Sequence, residues 1–251
     1  QYPRIQELAQ DSMAIEPLGL LVAQSAGGNP EAISNEDARL LELSDTNLFS
    51  LDRMPGLDLV DSSSRAAYGV RSQYLFADGS SINGLFGQDY DFLSDTPFPN
   101  STRPGANFSD LIGRVSLQYA PFTVAYRFAL DNSTLSANRN EVSLTYVNAA
   151  GYILNATLST LDNNRYLSNS KEAQAQAVVP FSDAWSIYGG TQRDLDLGRF
   201  VSARGGVIYK NECFNLMFDT SRIFSIDRDL QPNTAYTVTI GLNNLGEFGG
   251  R

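Results

Sequence analysis

The chain has 251 residues and a net charge of −10, from 18 Lys and Arg against 28 Asp and Glu, with no histidine. The acidic balance argues against a nucleic-acid partner, whose phosphates it would repel, and the missing histidine excludes Ser-His-Asp and Cys-His catalysis within the chain. One cysteine, Cys213, rules out an internal disulfide framework and a cysteine-rich metal site.

A helical membrane span needs about 20 consecutive apolar residues, and the nearest approach, Pro17 to Ala23, is far shorter. The mean hydropathy of −0.22 does not weigh against strand-type spans, which dilute apolar residues with polar ones facing the lumen. Gln1-Tyr2-Pro3-Arg4-Ile5 is not a secretory leader. The expectation is that a leader has been removed or that the sequence starts inside a longer protein.

Alternation of apolar and polar residues predicts strands at 13–24, 65–76, 80–92, 108–119, 121–131, 139–149, 151–161, 171–180, 183–193, 198–210, 212–224 and 233–245. Their connections fall into two classes. Tyr119-Ala120-Pro121, Asn148 to Gly151, Pro180 to Asp183 and Lys210-Asn211-Glu212 are tight, whereas Asp91 to Asn107, Asp131 to Asn138, Asp162 to Ser170 and Ser225 to Asn233 are longer and polar. Over much of the second half short and long links alternate, as in a barrel built from hairpins. Successive side chains of a strand point to opposite faces, so Val142, Leu144 and Tyr146 share one face and Glu141, Ser143 and Thr145 the other. Phe214, Leu216 and Phe218 likewise oppose Asn215, Met217 and Asp219. A membrane barrel turns the apolar face outward and a soluble sandwich turns it inward. Alternation alone leaves both open. The fold class expected is all-β, a transmembrane antiparallel β-barrel, with these dozen strands as about half of a larger one.

The stretch at about 27–60 interrupts the rhythm as an irregular loop. It carries too many apolar residues for a solvated linker, so it is expected to fold back onto the barrel wall or into its mouth. Here the chain resembles a known family. Asn47-Leu48-Phe49, Arg53 to Asp58 and Arg65 to Val70 resemble an NLF…R-x-x-G-x-D…R…YG signature in the barrel domain of the LPS-assembly protein LptD family. Gly87-Gln88-Asp89-Tyr90, Ser109 to Gly113, Tyr126-Arg127-Phe128 with Leu130-Asp131, and Arg139-Asn140-Glu141 add to the likeness, which runs from about Glu16 to Gly246.

The resemblance implies a non-enzymatic outer-membrane translocon of roughly 26 strands. Such a barrel is plugged by an LptE-like lipoprotein, receives lipopolysaccharide from periplasmic bridge proteins, and releases it through a lateral seam between its first and last strands into membrane lipid. The chain then corresponds to the C-terminal half of the barrel. The resemblance also implies a disulfide from Cys213 to the absent N-terminal region, since the family carries a cysteine pair where Glu212-Cys213 stands; the alternative is a lone small apolar residue. The last strand, Thr234 to Asn244 with Tyr236, Val238, Ile240 and Leu242, would form one side of the seam, or else simply be a closing strand. Arg114, Gln118, Arg127 and Arg204 are candidate lumen-facing polar residues, which would meet the plug or the lipid head group or merely hydrate the interior.

No catalytic, metal or cofactor residue stands out. Asp89, Asp91 and Asp95, or Asp227 and Asp229, have no EF-hand spacing and read as solvated loop carboxylates. The sequons at Asn100, Asn107, Asn132 and Asn155 mark polar turns. A porin-like channel or surface-binding barrel is the alternative function, and a secreted all-β binding protein a third.

Overall fold

The computed structural model describes residues 4–8, 11–23, 43–53, 64–92, 107–162, 169–224, 232–242 and 246–250. Its strands are β1 (Arg4–Leu8), β2 (Asp11–Val22), β3 (Arg65–Leu75), β4 (Ser81–Asp91), β5 (Leu111–Tyr119), β6 (Phe122–Leu130) and β7 (Ala137–Val147). They continue with β8 (Ile153–Leu161), β9 (Ser170–Pro180), β10 (Trp185–Asp194), β11 (Arg199–Lys210), β12 (Phe214–Ile223), β13 (Asn233–Leu242) and β14 (Gly246–Gly250). All belong to one sheet whose order is the chain order, with β1 and β14 at its ends. The twelve expected strands are present within a few residues, and the sheet adds β1 and β14. An all-β meander of this kind fits part of a barrel wall. Among the described residues no helix is long and apolar enough to cross a membrane, which bears on helical spans alone.

The chain divides into two compact units. The first comprises Gln1–Tyr119, Ala125–Glu141 and Thr160–Asn169; the second comprises Ala120–Val124, Val142–Ser159 and Ser170–Arg251.

In the first unit the register aligns Leu20, Ala67 and Asp89 in one row, and Leu18, Gly69, Gly87 and Ile112 in the next. Rows two residues on hold Glu16, Arg71, Leu85 and Arg114, then Ala14, Gln73, Asn83 and Ser116. The opposite face presents Ile15, Leu21, Tyr68, Val70, Phe86, Val115 and Leu117, all exposed. In the second unit Ile187, Val207, Phe218 and Val238 occupy one row of an equally apolar face. Val142 and Ile240, which a dry sandwich centre would bury, are 44% and 43% exposed. The large apolar side chains thus lie on an exposed face, and the only apolar cluster of buried residues described is small: Leu43, Leu48, Ala67, Ile112 and Ala129. That is the distribution an apolar solvent stabilises and water does not.

The strand ends differ as the sequence predicts. Hairpins such as Phe76–Ser80, closed by Phe76 N–H to Ser80 C=O at 2.9 Å, and Asn211–Phe214, closed at 3.1 Å, make one end. At the opposite strand ends the connections range from the four residues between β10 and β11 to the long one that leads from β2 to β3.

Candidate functional site

The described part of the β2–β3 connection, residues 43–53, lies on the polar face of the first unit. Its turn is capped by Asn47, whose Oδ1 accepts the Ser44 N–H at 2.8 Å, while the Leu48 N–H returns to the Ser44 carbonyl at 3.0 Å. This places Leu48, fully buried, and Phe49 against the wall. The wall is flat there because two glycines face them. A Cβ on Gly87 would meet Leu48 Cδ2 and the Tyr68 carbonyl at 2.8 Å; one on Gly69 would collide with the Phe86 carbonyl and meet Phe49 Cζ at 3.0 Å. Glycine is required at this crossing to let the segment and the neighbouring backbone approach.

Charges fasten the segment at both ends. Arg53 Nη1 donates to Asp89 Oδ2 at 2.6 Å, with both side chains wholly buried. Arg65 Nη1 lies 3.7 Å from Asp89 Oδ1 and donates to the Leu48 carbonyl at 3.4 Å, while Nη2 donates to the Ser50 carbonyl. A guanidinium suits this task because its planar fork of donors reaches a carboxylate and two carbonyls together. At the other end Asp45, its side chain 5% exposed, lies 3.6 Å from Arg114 Nη1 and 3.2 Å from Arg127 Nε. Arg127 Nη1 also donates to Glu141 at 2.8 Å. Buried pairs of this kind are weak evidence for net stability, but removing one partner alone is costly.

Behind Asp89 the network continues through the wall. Its N–H donates to Ser109 Oγ at 2.9 Å, Ser109 Oγ–H donates to the Asp110 carbonyl at 2.8 Å, and Asn138 Nδ2 donates to Asp110 Oδ2 at 2.8 Å. Gln88 takes the Tyr68 hydroxyl at 2.6 Å and gives its amide to the Ser109 carbonyl at 2.8 Å. Burial pushes the Asp110 carboxyl above its ordinary range, with the Asp131 charge adding to the shift and the Asn138 amide opposing it. Asp131 moves the other way, held well below the usual range by the Ser133 hydroxyl and the Thr134 and Ser133 N–H groups.

The second unit's polar face is of another kind. Tyr188 donates its hydroxyl to Asp219, Arg204 donates to Gln176 Oε1, and Gln192 Nε2 donates to Glu172 at 2.8 Å.

The sequence-predicted residues fall as follows. Arg114 and Arg127 meet Asp45 of the seated segment, Gln118 accepts the Ser81 hydroxyl at 3.2 Å, and Arg204 stands exposed on the other unit's polar face. Tyr236, Val238 and Ile240 are exposed on the apolar face of β13, and Leu242 is half-buried. β13 is not the end of the sheet: β14 pairs with its outer edge, from Leu242↔Gly246 to Val238↔Gly250. Cys213 is exposed in the tight β11–β12 hairpin, its N–H donated to Asn211 Oδ1 at 2.9 Å. The reading of Asp89 and Asp91 as solvated loop carboxylates is corrected: both lie in β4, 0% and 2% exposed, because guanidinium partners or the wall's interior enclose them. Asp95, Asp227, Asp229 and residues 54–58 lie outside the described residues. Asp45, Gly69 and Gly87 as contact points of the segment were missed, since pairing across tens of residues leaves no local periodicity. Among the described residues no cluster of three or more metal-ligating side chains is present.

The model of the family described as "LptD: LPS transport system D" matches residues 12–190. The match spans β2 to most of β10 and takes in the seated segment. The chain is also similar to the LPS-assembly protein LptD of Aeromonas salmonicida, at 25% identity over 221 residues covering 81% of this chain and 27% of that protein. It is similar to the LPS-assembly protein LptD of Coxiella burnetii at 23% identity over 248 residues, covering 88% and 28%. The chain thus spans little more than a quarter of the length of these relatives. With the family model covering well over half of its residues, the chain belongs to the LptD family.

Proposed function

We propose that this chain forms part of the wall of an outer-membrane barrel that assembles lipopolysaccharide into the outer leaflet. The observation that carries the reading is a coincidence. The family match ends inside β10 and begins at β2, and over that span the sheet has one exposed apolar face and one polar face bearing Arg71, Arg114 and Arg127. The chain is a transport and assembly component of the outer membrane, not an enzyme. Its work is differential solvation: sugar and phosphate groups travel along the hydrated polar face while acyl chains leave sideways into hydrocarbon.

The exit is assigned to a lateral seam at the C-terminal edge of the sheet, where β13 carries Tyr236, Val238, Ile240 and Leu242 and the five-residue β14 is added to it. An LptE-like lipoprotein in the lumen and periplasmic bridge proteins complete the pathway. The reading includes a disulfide from Cys213, exposed in the β11–β12 hairpin, to a periplasmic region of the whole protein, where disulfides form.

The test uses the full-length protein in cells depleted of the native copy. Cysteines introduced in the edge strand β14 and in the facing first strand of the barrel, once oxidised, should stop newly made lipopolysaccharide from reaching the cell surface, with reduction restoring it. Undiminished delivery through a locked seam would refute the lateral route, and normal surface lipopolysaccharide without the protein would refute the cargo.

A further inference from the structure

The apolar face of the first unit carries a groove close to its tight-turn end. It has a volume of about 360 Å³ and is lined by Met13, Ser72, Gln73, Tyr74, Phe76 and Ile82. Met13, Tyr74 and Ile82 form one row across β2, β3 and β4, and the next row away from the turn is Ile15, Ser72 and Gly84. The small pair Ser72 and Gly84 makes the floor: a Cβ on Gly84 would come within 2.8 Å of Ser72 Oγ. Tyr74 and Phe76, edge to face at 4.7 Å, wall the groove on the side of the turn. Aromatic rings at this level are the girdle of a membrane barrel's interface.

Just beyond the girdle, on the same face as Met13 and Ile15, stands Asp11. Its Oδ2 accepts the Tyr74 hydroxyl at 2.9 Å and its Oδ1 the Ala77 N–H at 2.8 Å. Each carboxylate oxygen has two acceptor positions, so both can take a further donor. Among the described residues that line the groove there is neither Lys nor Arg. An apolar slot of ligand-binding size, continuous with the bilayer-facing band and topped by one fixed negative charge, matches an amphiphile with an acyl chain and a cationic head.

We infer that the groove binds one acyl chain of a phospholipid whose head group carries a primary ammonium, with the Asp11 carboxylate accepting the ammonium N–H. Such a lipid pins β2, β3 and β4 where the wall enters the polar layer of the membrane. The inference rests on the bilayer assignment of this face and not on the cargo carried.

The full-length protein, extracted from membranes in mild detergent, is examined by native mass spectrometry after addition of phosphatidylethanolamine or of phosphatidylglycerol, which lacks the ammonium. The expected result is one phosphatidylethanolamine retained about fivefold over phosphatidylglycerol, the scale of one solvent-exposed ion pair. Ser72→Leu, which fills the slot, should abolish retention of both, and Asp11→Asn, which leaves the slot intact, should erase the preference while keeping the chain. Heat-modifiable migration on gels confirms that each variant is folded. Equal retention of the two lipids by the natural protein, or unchanged retention in Ser72→Leu, would overturn the site. Extraction without any detergent would instead refute the bilayer assignment itself.

Discussion

The polar faces of the two units solve the same problem differently. In the first, a segment of the chain covers the wall, buries Leu48 and shuts Arg53, Arg65 and Asp89 away from solvent. In the second, Tyr188 bonds Asp219 and Arg204 bonds Gln176, each across one intervening strand, and Arg204 stays exposed. The same alternating sequence pattern therefore serves as a seat for the chain's own backbone in one place and as a wetted lining in another. Two things distinguish them: glycines where a backbone must approach, and charges that find opposite charges in the interior rather than water.

The largest expected effect follows from the buried pair. Asp89→Ala should destabilise the folded full-length protein by about 3–5 kcal/mol in denaturant titrations in lipid vesicles, because two guanidinium groups lose their counter-charge in a dry site. Arg53→Met combined with Asp89→Leu should recover part of that loss; a double variant as damaged as the sum of its singles would deny the coupling. Tyr188→Phe in the second unit should cost only about 1 kcal/mol, the worth of one hydrogen bond in a partly wetted place. If the two substitutions cost the same, the distinction between seat and lining fails.

Glycine substitutions sharpen the contrast. Gly87→Ala should cost about 1–3 kcal/mol, since its Cβ would press on Leu48 and on the Tyr68 backbone. Gly189→Ala, where the nearest atom would be 3.8 Å away, should be neutral or stabilising by about 0.5 kcal/mol through the unfolded chain. The same denaturant titrations measure both.

How much of this could be read from the sequence depends on range. Twelve strands were legible because each is long enough for alternation to repeat several times between turn residues. Arg4–Leu8 was not, since five residues show too few alternations. Gly246–Gly250 was not either, because glycine lowers strand propensity and pairing is supplied by the edge of β13. The site was half legible. Asn47-Leu48-Phe49, Arg53, Arg65, Tyr68-Gly69, Gln88-Asp89 and Ser109-Asp110 drew notice through resemblance, yet nothing local says that Arg53 meets Asp89 across 36 positions. Asp45, the partner of both Arg114 and Arg127, carried no signal, because an ion pair between a loop and distant strands is a property of the fold and not of spacing.

The smallest expected effect is in pH. The lowered Asp131 carboxyl contributes stability that is complete above the ordinary aspartate range and is lost as pH falls through its folded value. The raised Asp110 carboxyl has the opposite sign: the folded state holds its proton longer, so stability declines as pH rises from the ordinary aspartate range through the folded value. Asp131→Ala should therefore flatten the acid limb of the stability profile, and Asp110→Asn should flatten the limb above it. Denaturant midpoints across acid to neutral pH report both.

The assignment of the two faces to lipid and water is tested most directly by spin labels placed one at a time along β13 of the full-length protein in vesicles, with Cys213 replaced by Ser. Labels at Tyr236, Val238 and Ile240, all exposed on the apolar face, should collide mainly with oxygen dissolved in the bilayer. Labels at Thr237 and Thr239 should collide mainly with a water-soluble nickel chelate, giving an alternation of period two along the strand. Equal access of the chelate to all five positions, or shielding of the apolar three from both reagents, would contradict a wall between bilayer and water.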